Sequence, residues 1–432
     1  MNIKENFNKI ITVSGFVESL RDLQYVQFLV IRNGSEKLQI TIEKEDENMK
    51  DLIPIVSSLS LESTIKVTGL LKENEKVKLN GMELIPNSII VTSVSEPELP
   101  ISIKTKDASL RETRLDYRFI DLRREDNNLF FRCQTTLLAA MREYWVNNDF
   151  IEINSPKISG ASAESGAEVF KLDYFGQPAC LSQSPQFYKQ MAMASGFNKV
   201  FEIAPAFRAE NSHTSYHAAE IQMIDAEISW INSVEDVMDM EENWLRYAFS
   251  KLNEKHKEEV KKVFGIDITD ASNRFPRITL EECKKIIKEE YNYISEKEDD
   301  LERKEEELIC KYVKEKYNSD FVFITKWPFE ARPFYHMKDE DGYSMSFDLL
   351  YKGLEITTGA QREHRYEILK NQIIEKEIDP KELEFYLDFF KYGCPPHGGL
   401  GFGLARLMMQ IFEIDNIREA TFIYRGPTRL NP

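Results

Sequence analysis

Three stretches of this 432-residue chain carry residue types that could hold a phosphate or a metal ion. In VFEIAPAFRAE, strand alternation puts Glu202, Ala204, Ala206, Arg208 and Glu210 on one face and Phe201, Ile203, Pro205 and Phe207 on the other. The apolar face suits a core. The opposite face leaves space around two alanines beside a guanidinium, whose planar fork of donors matches phosphate or carboxylate. A solvated ion pair is the alternative. The polar run NSHTSYHAAE that follows adds His217 and a further glutamate.

The second stretch is SFDLLYKGLEITTGAQREHR. A two-residue turn at Lys352-Gly353 sets Leu350 opposite Glu355 and Asp348 opposite Thr357, so that Asp348 and Glu355 are diagonal neighbours on one face. Two buried carboxylates side by side are costly unless a metal or an arginine neutralises them. Magnesium with a nucleotide fits such a pair, because magnesium takes one or two carboxylates plus substrate phosphates. Exposed, the same residues would be ordinary surface. The third stretch, HGGLGFGLARLMMQIFEI, is a glycine-rich strand entering a helix whose early turn carries Arg406. Glycines let a ligand approach the backbone and a helix start favours anions, but the string is neither GxxxxGK[ST] nor a dinucleotide fingerprint.

These stretches need elements to position them. The first hundred residues hold five short β-branched segments separated by turn residues, which suggests a small barrel. EPELPISIKTKDAS, with two prolines and no helical period, reads as a linker. Beyond it, Leu129, Cys133, Leu137, Met141 and Trp145 recur every fourth residue as one stripe of a long helix. Strands arriving mostly as hairpins follow, with helices expected at 234–262, 279–292, 296–317, 379–391 and 404–413. That pattern is α+β, an antiparallel sheet flanked by helices. The expected domains are a barrel at 1–97, a linker at 98–124 and a second domain at 125–432. The charged segment EKEDDLERKEEELICKYVKEKY reads as a solvated helix face.

Composition limits the remaining classes. The net charge of −17 argues against loose, charge-driven nucleic-acid binding, though a local basic or aromatic surface stays compatible with it. No run of about 18 apolar residues and no signal-like N-terminus is present, so the chain reads as neither secreted nor membrane-spanning. Its five cysteines lie far apart, without zinc-ligand spacing, as expected of reduced thiols in a cytoplasm.

Taken in order, the long helix and these stretches resemble the signature pattern of class II aminoacyl-tRNA synthetases. The long helix with FIEINSPKI resembles motif 1 and its interface proline, FRAE…HAAE resembles motif 2, and GFGLARL resembles motif 3. RLDYRFIDLRR and SQSPQFYKQM narrow the resemblance to the aspartyl branch of archaeal and eukaryotic type. It implies an OB-fold anticodon-binding barrel, a homodimer, and synthesis of aspartyl-adenylate from L-aspartate and ATP before transfer to tRNA(Asp), with tRNA(Asn) as an open second acceptor. It also implies roles. ATP would meet Arg208, Ala209, Glu210, Tyr216, His217, Ala218, Glu355, Gly403, Leu404, Ala405 and Arg406, with Arg208 and Arg406 as catalytic cations. Aspartate would meet Glu164, Gln186, Lys189, Arg208, Thr358 and Arg362. Glu355, Thr358 and Asp348 would hold Mg2+, and Phe28 and Gln39 would meet an anticodon base. Lys189 and Arg362 supply two cations, so neutral asparagine would leave desolvated charge unmatched. The asparaginyl branch lacks this lysine.

The chain departs from the family pattern at Tyr216 (usually arginine), Ile221 (often an aromatic), Ala405 (usually glutamate) and Ile423-Tyr424-Arg425-Gly426 (usually Phe-Pro-Arg-Asp). Two alternatives follow: a divergent paralogue with another acceptor or no catalysis, and an asparagine–tRNA ligase.

Overall fold

The computed structural model describes residues 3–160, 168–212 and 214–431. The chain divides into two compact units, Met1–Leu129 and Phe130–Pro432.

The first unit contains β1 (Ile10–Asp22), β2 (Val26–Asn33), β3 (Glu36–Glu43), α1 (Leu52–Ser57), β4 (Thr64–Glu73) and β5 (Met82–Ser93), followed by two short helices, α2 (Arg111–Asp116) and α3 (Arg118–Asp121). All five expected strands form, closing into a barrel in the order β1-β2-β3-β5-β4. Alternation does the sorting: Leu29 and Ile31 on β2 and Leu38, Ile40 and Ile42 on β3 point inward, into one apolar cluster with Val67 and Leu84.

The second unit begins within α4 (Glu125–Asn147), whose predicted stripe is the buried one: Leu129, Cys133, Leu137, Met141 and Trp145 are all 0% exposed. Its strands and helices continue as β6 (Ile151–Glu152), β7 (Ile158–Ser159), β8 (Lys171–Tyr174), β9 (Gln177–Leu181), α5 (Gln186–Ala194), β10 (Lys199–Phe207), β11 (Glu220–Ser229), α6 (Val234–Phe264), β12 (Arg277–Thr279), α7 (Leu280–Tyr291), α8 (Arg303–Tyr317), β13 (Phe321–Pro328), β14 (Tyr343–Tyr351), β15 (Leu354–Arg362), α9 (Tyr366–Glu375), α10 (Glu384–Lys391), β16 (His397–Gly403) and α11 (Leu404–Ile411). The main sheet has eight strands in the order β12-β13-β14-β15-β16-β11-β10-β6. The expected antiparallel sheet holds for its central six strands, but β12 on β13 and β6 on β10 pair parallel, so the sheet is mixed. Both parallel partners are two- or three-residue edge strands reached by long connections, which a hairpin pattern cannot reveal.

The helices stop and start on local signals. α6 opens on a Ser233–Asp236 capping box and ends on Gly265 in the left-handed region, while α7 opens on Thr279–Glu282 and ends on Asn292, also left-handed. α8 starts at Arg303 rather than the expected 296: Glu302 before it is extended, and its N–H donates to the Glu305 carboxylate as a cap. Trp145 of α4 stacks on Trp244 of α6 with centroids 4.4 Å apart and packs on Phe201 of β10, fixing both helices against one sheet face. Among the described residues no helix is long and apolar enough to cross a membrane.

Candidate functional site

Strand β15 organises the site. Lys352 and Gly353 both adopt positive φ, 47° and 83°, which makes the tight turn expected between β14 and β15. Leu350 pairs with Glu355 as predicted, but a bulge between Leu349 and Leu350 sets Asp348 opposite Thr358, not Thr357. Glu355 near the start of β15 and Arg362 at its end are seven residues apart, roughly 23 Å along an extended strand. Both line one cavity of about 330 Å3.

Around Glu355 the cavity wall includes Arg208, Tyr216, His217, Ala218, Thr358, Gly403, Ala405 and Arg406. Arg406 donates from Nη1 to the Glu355 carbonyl at 3.1 Å and lies 3.6 Å from its carboxylate, to which Thr358 donates at 3.2 Å. Arg208 makes no ion pair with any described residue, and it lines the cavity. Burial lowers the His217 pKa, with Arg406 and Arg208 acting the same way against Glu210; the ring is also bonded to Thr214. Asp348 is gripped by Arg332 through bonds of 2.6 and 3.1 Å. Burial still pushes it up to about 6, with Arg332 opposing and Glu355 adding. Of the two neutralisers left open for this pair, an arginine serves Asp348. Among the described residues no three acidic, histidine or cysteine side chains converge as a metal cage. Glu355, with its hydroxyl neighbour and an open cavity face, has the chemistry of a magnesium ligand shared with phosphates.

Around Arg362 the wall includes Gln186 and Asp225. Lys189, 1% exposed, does not line the cavity; its Nζ lies 2.8 Å from Asp225, 3.0 Å from the Leu400 carbonyl and 3.5 Å from Glu227. Arg362 donates from Nε to Glu227 and from Nη2 to the Gly399 carbonyl, both at 3.0 Å. The two predicted cations thus face two buried carboxylates. This revises the expectation that asparagine would leave charge unmatched: Asp225 and Glu227 already match it. Burial raises Asp225 against the pull of Lys189; in Glu227 burial is outweighed by Arg362 and Lys189, and its pKa falls. His397, held low at about 4 by burial, is neutral and joins Gln190, which Tyr386 and Gln186 also engage.

The glycines of β16 make room for these acids. Gly399 lies opposite Glu227 and Gly401 opposite Asp225; a Cβ at Gly399 would fall 2.1 Å from the Glu227 carboxylate. The glycine string was expected to admit a ligand to the backbone; Gly401 and Gly403 do line the cavity, and Gly399 makes room for a buried side chain. Sequence reading missed Asp225, Glu227 and Arg332. The first two were discoverable, since in QMIDAEIS alternation sends both acids to one face of an otherwise apolar strand. Arg332 carried no local signal.

The other predicted residues fall as follows. Ala209 lies just beyond β10, donating its N–H to the Glu168 carbonyl at 3.0 Å, Glu210 acts on His217 through space, and Leu404 is buried in the first turn of α11. Glu164 lies outside the described residues. In the barrel, Phe28 is half-buried and stands outside the apolar cluster, across from Thr41. Gln39 donates to Thr41 at 3.2 Å, and Thr41 and Asn74 both donate to Glu83. Phe28, Gln39, Thr41 and Glu83 therefore share one outer face, with Glu83 a further residue the sequence reading missed.

Residues 110–424 match the family described as tRNA synthetases class II (D, K and N), and residues 11–92 match an OB-fold nucleic acid binding domain. The chain is 40% identical over 433 residues, 100% of its length and 98% of the relative's, to an aspartate–tRNA(Asp) ligase of Pyrococcus furiosus. It is 39% identical over 425 residues, 98% of its length and 95% of the relative's, to an aspartate–tRNA(Asp/Asn) ligase of Aeropyrum pernix. The crystal structure of asparaginyl-tRNA synthetase from Pyrococcus horikoshii complexed with asparaginyl-adenylate matches with a TM-score of 0.91 at 30% identity, covering 99% of this chain and 97% of that one. The chain belongs to the class II tRNA synthetases, and within them to the aspartate–tRNA ligases.

Proposed function

We propose that the cavity spanned by β15 is where this ligase joins L-aspartate to AMP, before the aspartyl group passes to tRNA. The observation that carries this reading is the strand itself, with Glu355, Arg406 and Arg208 grouped toward one end and Arg362, Asp225 and Gln186 toward the other. ATP lies along Arg208, Tyr216, His217, Ala218 and the Gly403–Arg406 segment. Arg208 neutralises the α-phosphate, and Arg406 takes the pyrophosphate that leaves when the aspartate α-carboxylate attacks phosphorus. That carboxylate is already a nucleophile, so positioning and charge neutralisation suffice and no general base is required. Glu355 and Thr358, with Asp348 beside them, hold a magnesium ion, which supplies charge neutralisation at the phosphates when bound. Arg362 receives the aspartate side chain, with Lys189 acting from beneath Asp225.

Phe28 and Gln39 meet an anticodon base on the barrel, where an aromatic on an OB strand stacks single-stranded RNA. A homodimer through the α4–β6–β7 segment has support in the exposed apolar residues Val146, Ile151 and Ile158. A cytoplasmic location accords with the five free cysteines. The test is ATP–pyrophosphate exchange driven by aspartate or by asparagine at saturating ATP and magnesium, then aminoacylation of tRNA(Asp) and tRNA(Asn) side by side. Exchange with aspartate is expected. Exchange with asparagine alone would favour the asparagine ligase, to which the fold likeness at a TM-score of 0.91 lends weight. Silence with both would favour the divergent paralogue.

A further inference from the structure

Arg303 opens α8, far in sequence from the residues of the cavity. Its guanidinium carbon nevertheless lies 4.9 Å from the centroid of the Tyr216 ring, which forms part of the cavity wall with Arg208, Glu355 and Arg406. The same guanidinium donates from Nη1 to the Gly353 carbonyl, at the tip of the β14–β15 hairpin, and to Glu306 at 3.0 Å. Gly353 stands two residues before Glu355. Helix and turn are pressed together there, since a Cβ on Gly353 would lie 3.1 Å from the Glu307 Cα. One side chain therefore touches two walls: the polar loop after β10 through Tyr216, and the hairpin bearing Glu355 through its backbone.

A ring face attracts a cation, and a planar guanidinium can stack on the ring while its N–H groups bond elsewhere. Arg303 has this geometry, with its side chain 34% exposed and the Glu306 carboxyl 3.0 Å away. Burial and the neighbouring Glu355 push Glu306 up to about 8, while Arg303 and Arg406 draw it down. Arg303 does not itself line the cavity. Its contact with bound nucleotide therefore runs through Tyr216.

We propose that Arg303 is a positioning residue for ATP: it holds Tyr216 in the cavity wall and ties it to the Glu355 hairpin, so that the phosphate end is assembled before the nucleotide arrives. This rests on the reading of the cavity as the ATP site. Preassembly raises affinity for the ligand whose walls it fixes and leaves the distant Arg362 end alone.

The test compares Arg303→Ala, Arg303→Lys, Tyr216→Leu and the double variant Arg303→Ala/Tyr216→Leu with the wild type. Two readouts are needed: the equilibrium Kd for ATP with magnesium in the absence of aspartate, and separate KM values for ATP and aspartate in pyrophosphate exchange. Arg303→Ala is expected to raise the Kd and KM for ATP about five- to tenfold and to keep the aspartate KM within about twofold. Tyr216→Leu should do the same, and the double variant should lose less than the two single losses combined, because the two changes share the ring contact while Arg303→Ala alone also removes the bond to the Gly353 carbonyl. Arg303→Lys keeps a charge over the ring but loses the fork, and should fall between. Lys304→Ala, on the exposed face one residue on, sets the background for altering this helix.

Unchanged ATP affinity in Arg303→Ala would overturn the proposal. So would fully additive losses in the double variant, or an equal rise in the aspartate KM. Should Arg303→Ala fail to fold, Arg303→Lys and Tyr216→Leu decide the matter on the same terms. A wild type that binds ATP but shows no exchange with aspartate would sink the functional reading, while the Kd series would still judge Arg303.

Discussion

Lys189→Met removes one cation from a site in which two cations face two carboxylates. Methionine fills nearly the same volume, so the change is mainly one of charge. The lost groups are a 2.8 Å bond to Asp225, a 3.0 Å bond to the Leu400 carbonyl and a 3.5 Å approach to Glu227, all at a side chain 1% exposed. Asp225 and Glu227 then share Arg362, and breaking a buried pair in this way costs about 3–5 kcal/mol of stability. Aspartate meets an added repulsion that asparagine does not. Truncating one member of a buried charge pair costs about 2–5 kcal/mol in binding, a loss of roughly thirty- to several-thousand-fold in kcat/KM for aspartate. The loss for asparagine should be smaller, moving the aspartate-to-asparagine ratio by at least about tenfold. Pyrophosphate exchange with each amino acid, at a temperature below the variant's melting point, gives that ratio. The double variant Lys189→Met/Asp225→Asn rebalances the charge and should recover much of the lost melting temperature without recovering the ratio. Equal losses for both amino acids would refute the reasoning and leave Lys189 a purely structural residue.

Phe28→Ala should raise the KM for tRNA about five- to 150-fold, since stacking on a base contributes about 1–3 kcal/mol, while pyrophosphate exchange is unaltered; a parallel fall in exchange would count against a barrel role for Phe28. Glu241 is 0% exposed, and burial pushes its pKa up to about 8 from an ordinary 4.5. The folded state therefore keeps its proton: the stability from this group is fully present below pH 4.5 and is lost as pH rises through about 8, a change of about 5 kcal/mol in all. Thermal melts at pH 6 and pH 9 should show the wild type losing more than Glu241→Gln, and equal losses would contradict the assignment. Gly399→Ala places a Cβ 2.1 Å from both the Ala226 carbonyl and the Glu227 carboxylate, whereas Gly401→Ala meets Asp225 at 3.4 Å. The first should cost more than about 3 kcal/mol and the second far less, as melting temperatures will show. Tyr216→Arg, which restores the residue usual in the family, sets a guanidinium against Arg303 in place of an aromatic face and should raise the KM for ATP; a lower KM would mean that Arg303 does not serve Tyr216.

What the sequence made legible follows the range of each interaction. Alternation within a strand exposed the five barrel strands and the Arg208 face, and a spacing of four exposed the buried stripe of α4. The turn at Lys352-Gly353 was readable from two residues, but the bulge two positions earlier was not, because a bulge answers to packing and leaves no residue type behind. α5 and α9 escaped notice: α5 follows Ser-Pro and holds its polar residues Gln186, Lys189 and Gln190 inward, contrary to an amphipathic pattern. Pairings across long separations were invisible altogether. Arg332 on Asp348 and Arg303 on Tyr216 join residues 16 and 87 positions apart with no motif linking them.

That range explains why the departures from the family looked worse in the sequence than in the fold. Tyr216, Ile221 and Ala405 all line one cavity, and Ile221 and Ala405 also border a second one with Arg425. Relative to the family pattern, Tyr216 removes one cation and Ala405 removes one carboxylate, so the two changes cancel in net charge at a shared wall. Behind that wall an arginine from another element, Arg303, lies over the ring that stands in the cation's place, 4.9 Å from its centroid.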